Sequence, residues 1–179
     1  MKELSLNLLD IAQNSVVAGA SLIEIEVCES EKQDLVALAI TDNGKGMSPE
    51  FLAKVTDPFT TTRTTRAVGL GLPLLKMEAE MAKGGLEISS KLGVGTKVCA
   101  SFRRSHIDMP PLGDLTGSVV TLIQGSPELD FVYSRSTDKG TYVLDVREIR
   151  AELGGVPLDE PEVLAWIREF IEENDAEIL

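Results

Sequence analysis

Apolar residues fall at Leu4, Leu8, Ile11, Ala12, Ser15 and Ala18, a helical spacing. This predicts a helix over residues 3–18, with Gly19 as its stop. From Leu22 to Val27 the period changes to two, with Glu24 and Glu26 facing outward, as in a half-exposed strand. Leu35 to Thr41 reads as the next strand, paired through a hairpin around residues 31–33. Ser48-Pro49-Glu50 has the cap-then-proline order of a short helix. Residues 56–68 lack periodicity and predict a mobile loop. A helix is expected from Gly71 to Lys83. A second hairpin follows, with strands at 86–91 and 96–103 joined through Gly93-Val94-Gly95.

Met109-Pro110-Pro111 marks a boundary. Beyond it the pattern predicts a helix at 115–123 and a hairpin with strands at 131–135 and 141–144. A short helix follows at 146–153, then a final helix from Pro161 to about Glu173 with Val163, Leu164, Ile167, Phe170 and Ile171 on one face. At 179 residues the chain is one domain, or one with a small appendage.

Charge separates the two parts. Residues 1–103 carry 11 basic and 13 acidic side chains, a net of −2, and residues 104–179 carry 6 and 16, a net of −10. The acidic part repels phosphate, which excludes broad electrostatic binding of nucleic acid. It is either a solvated surface or a face for a basic partner. The two cysteines, Cys28 and Cys99, read as buried small hydrophobes rather than a disulfide or metal pair. The sequence has no leader and no apolar run of membrane-spanning length, so a soluble, cytoplasmic protein without membrane contact is expected.

The chemistry concentrates in three places. Asp42-Asn43-Gly44-Lys45-Gly46-Met47 follows the second strand. A carboxylate at a strand end, with glycines that let the backbone turn and approach closely, can accept a hydrogen bond from an exocyclic amine. Taken alone, the same spacing fits a plain tight turn. Asp10 and Asn14 are four apart and share a helix face, and an amide oxygen is a good ligand for Mg2+. Gly69-Leu70-Gly71-Leu72 leads into a helix whose backbone N–H groups can cradle phosphates.

In this order, with Asp57-Pro58-Phe59-Thr60-Thr61-Thr62-Arg63 and Gly93-Val94-Gly95-Thr96, the motifs resemble those of the GHKL ATPases: gyrase, heat-shock chaperone, histidine kinase and MutL. The match covers roughly residues 4–103. The resemblance implies an α+β fold, a two-layer sandwich of the Bergerat type. Its mixed sheet has helices on one face and occupies residues 1–105, with residues 106–179 as a small acidic α/β extension. It implies that Asn14 holds Mg2+ and that Asp42 accepts from the adenine amine of ATP. Gly44, Gly46 and Met47 would line the base pocket, and Thr96 would contact adenine through water. Phe59, Arg63 and Arg66 belong to the segment over the phosphates, and Gly69, Leu70, Gly71 and Leu72 to the phosphate cradle. Asp10 falls where gyrase and MutL-type members carry a water-activating glutamate, one methylene longer. Val17 replaces an acidic residue of the MutL-type segment, and Ala18 an aromatic of the kinases.

Three readings follow. One is an ATP-dependent protein kinase of the histidine-kinase or anti-sigma type. His106 is a poor phosphoacceptor and no phosphoacceptor helix pair precedes Asn14, so the acceptor is expected on a separate protein. The second is an ATP-gated binding or assembly module with slow hydrolysis or none. The third is a nucleotide-free interaction domain, against which the intact motifs argue. The acidic tail also resembles that of ATP-binding proteins encoded beside iron-only hydrogenase genes. That resemblance implies a hydrogenase-related partner without redox chemistry in this chain.

Overall fold

The computed structural model of the chain describes residues 3–57 and 71–179. Helix α1 spans Leu4–Val17, followed by strands β1 (Leu22–Ser30) and β2 (Leu35–Asp42) and the short helix α2 (Pro49–Leu52). Helix α3 covers Gly71–Met81, and β3 (Gly85–Lys91) and β4 (Gly95–Arg103) form the second hairpin. Helix α4 (Leu115–Gly125), strands β5 (Asp130–Thr137) and β6 (Gly140–Asp145), and helices α5 (Val146–Leu153) and α6 (Pro161–Ile178) complete the order.

All six strands form one mixed sheet in the order β3-β4-β2-β1-β5-β6. β1 and β5 run parallel, and the other neighbours are antiparallel. Ile25 stands opposite both Ile40 and Tyr133, and Ile40 opposite Val98. These four are buried, so one row of side chains crosses the sheet on the face that α1, α3, α4 and α6 cover. Glu24, Glu26, Glu87 and Lys97 alternate onto the other face and are exposed, as period two demands.

The acidic C-terminal residues extend this sheet and support the first helix. The N–H groups of Leu4 and Ser5, which lack intrahelical acceptors, donate to the carbonyls of Pro111 and Leu112 at 2.9 Å each. The Ser118 hydroxyl donates to the Ser5 carbonyl at 2.8 Å. Leu115, Val119, Leu122 and Ile123 of α4 are buried, each contributing roughly 1.5–3 kcal/mol of transfer free energy.

Two expectations change. Helix α6 runs on to Ile178, well past Glu173, because Ile171 and Ile178 continue the apolar stripe and both are buried. Cys28 and Cys99 are free and only half-buried. Val27 and Val98 point inward, so alternation turns the cysteines to the uncovered face.

Candidate functional site

The turn after β2 is built to hold one carboxylate still. Asn43 locks it from outside, its Oδ1 accepting from the N–H groups of Ser21 and Leu22 at 2.8 and 3.0 Å. The Asp42 Oδ1 accepts from the Gly44 N–H at 2.9 Å, and Oδ2 accepts from the Ser15 hydroxyl at 2.6 Å. A carboxylate has about four lone-pair sites, and the protein fills two. The others remain for a donor, and Asp42 sits on the wall of a cavity of about 430 Å³.

Glycine is required twice around that carboxylate. Gly46 has φ +72°, and a Cβ there would run into the Lys91 carbonyl. Gly95 has φ +144°, and a Cβ would run into the carbonyl of Asp42 itself. The Lys45 N–H donates to the Ala18 carbonyl at 2.9 Å, and the Gly93 N–H to the Lys45 carbonyl at 2.8 Å. The turn is therefore clamped between the end of α1 and the β3–β4 hairpin. The Met47 N–H donates to Ser90 Oγ at 2.8 Å, and Ser90 shares a 2.7 Å hydrogen bond with Thr96. Thr96 stands directly opposite Asp42 in the sheet register.

The cavity lies between α1, the end of β2 and the start of α3. Ile11, Ile40, Met47, Phe51, Leu92 and Val98 form its apolar walls, and Asn14, Asp42, Lys45 and Thr96 its polar points. Its volume suits a small-molecule site. Apolar walls around one carboxylate suit a flat heteroaromatic ring bearing an amine.

Of the sequence-predicted residues, Asn14, Asp42, Gly46, Met47, Leu72 and Thr96 line this one cavity. Gly44 is buried behind Asp42 rather than on the wall, and a Cβ there would press on Ala18. Ala18, where the kinase pattern has an aromatic, packs against that glycine and also lines the cavity. Gly71 begins α3 beside Asp10: a Cβ on it would lie 3.6 Å from the Asp10 Cβ. Asp10 is exposed, one turn before Asn14. Phe59, Arg63, Arg66, Gly69 and Leu70 lie outside the described residues, as does most of the loop expected at 56–68.

Among the described residues no group of three or more His, Cys, Asp or Glu side chains could hold a metal. The donor set fits Mg2+ better than a caged ion. Mg2+ takes one or two protein ligands and keeps several waters, and the Asn14 amide, which lines the cavity, is of the type that could serve as one.

Sequence reasoning missed Ser15, Ile11, Phe51 and Leu92. Ser15 follows Asn14 directly and carried a signal, since a hydroxyl one step round the helix can reach the same cleft. Ile11, Phe51 and Leu92 look like ordinary apolar positions until the cleft is assembled.

Comparisons with known proteins bear on the family and the fold. The family model described as histidine kinase-, DNA gyrase B- and HSP90-like ATPase matches residues 1–106. The chain is 31% identical over 109 residues to the NtrY-like protein of Rickettsia conorii, covering 61% of this chain and 18% of that one. It is 35% identical over 114 residues to the non-motile and phage-resistance protein of Caulobacter vibrioides, covering 60% and 14%. With the sensor protein SrrB of Staphylococcus aureus the identity is 37% over 101 residues, covering 54% and 17%. The chain thus spans less than a fifth of the length of these relatives. Among solved structures, the N-terminal domain of a DNA repair protein superposes with a TM-score of 0.54 at 16% identity, over 81% of this chain and 53% of that one. At that identity it is a likeness of fold alone. No helix among the described residues is long and apolar enough to cross a membrane.

Proposed function

The chain belongs to the histidine kinase-, DNA gyrase B- and HSP90-like ATPase family, and on that premise we propose that it binds Mg-ATP and passes the γ-phosphoryl group to a separate partner protein. The observation that carries this reading is the fixed Asp42 carboxylate on the wall of an apolar cleft. It is an acceptor held by Ser15 and Gly44 with capacity left for an adenine amine. Guanine carries a carbonyl acceptor at the equivalent position, and two acceptors facing each other repel, so the site favours ATP over GTP. Met47 and Thr96 lie beside Asp42 at the base end. Asn14 would hold Mg2+, which would supply positive charge to offset that of the phosphates. Gly71 and Leu72 open α3, whose N-terminal N–H groups favour anions. Arg63 and Arg66, assigned from sequence, would complete the phosphate contacts.

One feature supports transfer over hydrolysis, and another sets His106 aside as the acceptor. Asp10 is one methylene shorter than the glutamate that activates water in the hydrolytic branches. The chain's single histidine, His106, lies past the far end of β4. From Thr96 at the cleft to Arg103 is seven residues, roughly 23 Å of strand. The His106 Nδ1 is already occupied, accepting the Asp108 N–H at 3.0 Å. In this reading residues 106–179 form the extension that docks the partner, and the protein works in the cytoplasm, where ATP is supplied. A hydrogenase-related partner is part of the same reading and rests on the resemblance of the tail.

The test is γ-labelled ATP incubated with the chain and an extract of its source cells. Label on another protein, lost with Asp42→Asn, is expected. Label on this chain at His106, or steady phosphate release without transfer, overturns the kinase reading. Tight ATP binding with no transfer leaves the ATP-gated binding module.

A further inference from the structure

Trp166 is the chain's only tryptophan, and it is 49% exposed on the outer face of α6. The indole is not loose. It stacks on Phe170, with ring centroids 5.5 Å apart and planes 27° from parallel. Phe170 meets Tyr142 edge-on at 6.2 Å, and Tyr142 meets Tyr133 in the same manner at 6.2 Å. The Tyr142 hydroxyl donates to Asp175, which also holds the buried Arg135. Four rings thus run from the core to the surface and end in a half-exposed indole.

The charge around that indole has one sign. Glu162, Glu169 and Glu173 stand at positions −4, +3 and +7 from Trp166, on the same side of the helix, and all three are exposed. They form no ion pair among the described residues, whereas Glu172 is within 4.0 Å of Arg168 and Asp175 is paired to Arg135. An electron-rich ring face among unpaired carboxylates attracts cations and repels anions. This excludes nucleic acid and anionic lipid, and a second copy would bring the same carboxylates against themselves.

We propose that the outer face of α6 is a docking surface for a basic segment of a partner protein. A lysine or arginine of the partner seats over Trp166, and its neighbouring cations pair with Glu162, Glu169 and Glu173. The rings behind the indole fix its orientation before the partner arrives, which lowers the ordering cost of binding. The surface is separate from the nucleotide cleft, so this inference stands or falls independently of the proposed kinase activity.

The test uses the full chain and a synthetic lysine–leucine helical peptide as probe, with a glutamate–leucine peptide as control. Trp166 emission reports this surface alone. The basic peptide should shift the emission saturably at physiological salt, and the acidic one should not. The triple substitution Glu162→Gln, Glu169→Gln, Glu173→Gln should weaken the basic peptide at least tenfold, and Trp166→Ala, followed by calorimetry, should do the same. Glu24→Gln with Glu26→Gln, on the uncovered face of the sheet, should leave affinity within twofold. Equal weakening by both sets of substitutions would mean general charge attraction and overturn the proposal. So would peptide binding without an emission change, or a free chain that sediments as a dimer with Trp166 buried.

Discussion

Asp42→Asn exchanges one carboxylate oxygen for an amide nitrogen at constant volume. The two donors that hold the side chain pull on different oxygens, Gly44 N–H on Oδ1 and Ser15 Oγ on Oδ2. Asparagine can satisfy both. Its carbonyl takes the Gly44 N–H, and the serine hydroxyl, which rotates and can also accept, takes the amide N–H. What is lost locally is the charge on both hydrogen bonds, about 1–2 kcal/mol in all, so Tm should fall by only about 2–8 °C. Toward an adenine amine the change is larger, because a donor now stands where an ionised acceptor stood. A hydrogen bond to a charged group contributes roughly 1.5–3 kcal/mol, which corresponds to a loss of about 10–100-fold in ATP affinity. GTP should lose much less, since its carbonyl can accept from the new amide. Calorimetric titration of parent and variant with both nucleotides in excess Mg2+, with thermal melts alongside, measures all of this. A variant that melts like the parent and binds ATP like the parent would refute the role given to Asp42.

Three further outcomes are expected. Burial pushes the Tyr133 phenol up to about 12 and raises that of Tyr142, whose hydrogen bond to Asp175 adds to the effect; a raised folded-state value favours the neutral phenol, so this stability is complete below pH 10 and lost as pH rises toward 12. These are the only two tyrosines, so absorbance at the tyrosinate band should stay flat through pH 10 in the native chain, and a phenol titrating near 10 would contradict the packing. Arg135→Met removes the cation between Glu29 and Asp175, held at 2.5 and 3.0 Å, and should cost about 3 kcal/mol in urea unfolding; a cost below 1 kcal/mol would show that the network is not coupled to stability. Gly95→Ala forces a side chain against the Asp42 carbonyl at a φ that only glycine adopts easily, and should destabilise by at least ~2 kcal/mol and weaken ATP with it. A soluble Gly95→Ala variant with parental ATP affinity would show that the hairpin does not position the carboxylate.

Most of the elements were legible because each carries its own period or punctuation. The alternation in β1, the helical spacing of Leu4, Leu8 and Ile11, and the Ser48-Pro49 start are local signals. Ser48 does cap, accepting from the Phe51 N–H at 3.2 Å. Asp42 and Gly46 were legible as cleft residues for the same reason: they sit in a turn whose glycines have a conformational purpose. What the residues did not carry was non-local. Nothing in Phe131 to Thr137 says that β5 will lie parallel to β1 in the same sheet, since that pairing depends on packing at long sequence separation. Arg135 shares the inward phase of Phe131 and Tyr133 and is buried because two carboxylates, distant in sequence, meet it. Cys28 was misjudged from residue type, although the phase of Ile25 and Val27 already turned it outward. Leu92 became a wall of the cleft only because the β3–β4 hairpin folds back over the turn at Gly46.

The central claim is that adenine is read by Asp42 within this cavity. A crystal structure of the full chain with ADP and Mg2+ tests it directly. The account predicts the adenine amine about 3 Å from the Asp42 carboxylate, the base among Ile40, Met47 and Val98, and the Asn14 amide oxygen on the metal. A nucleotide bound elsewhere, or a base in this cleft whose amine points away from Asp42, would contradict it.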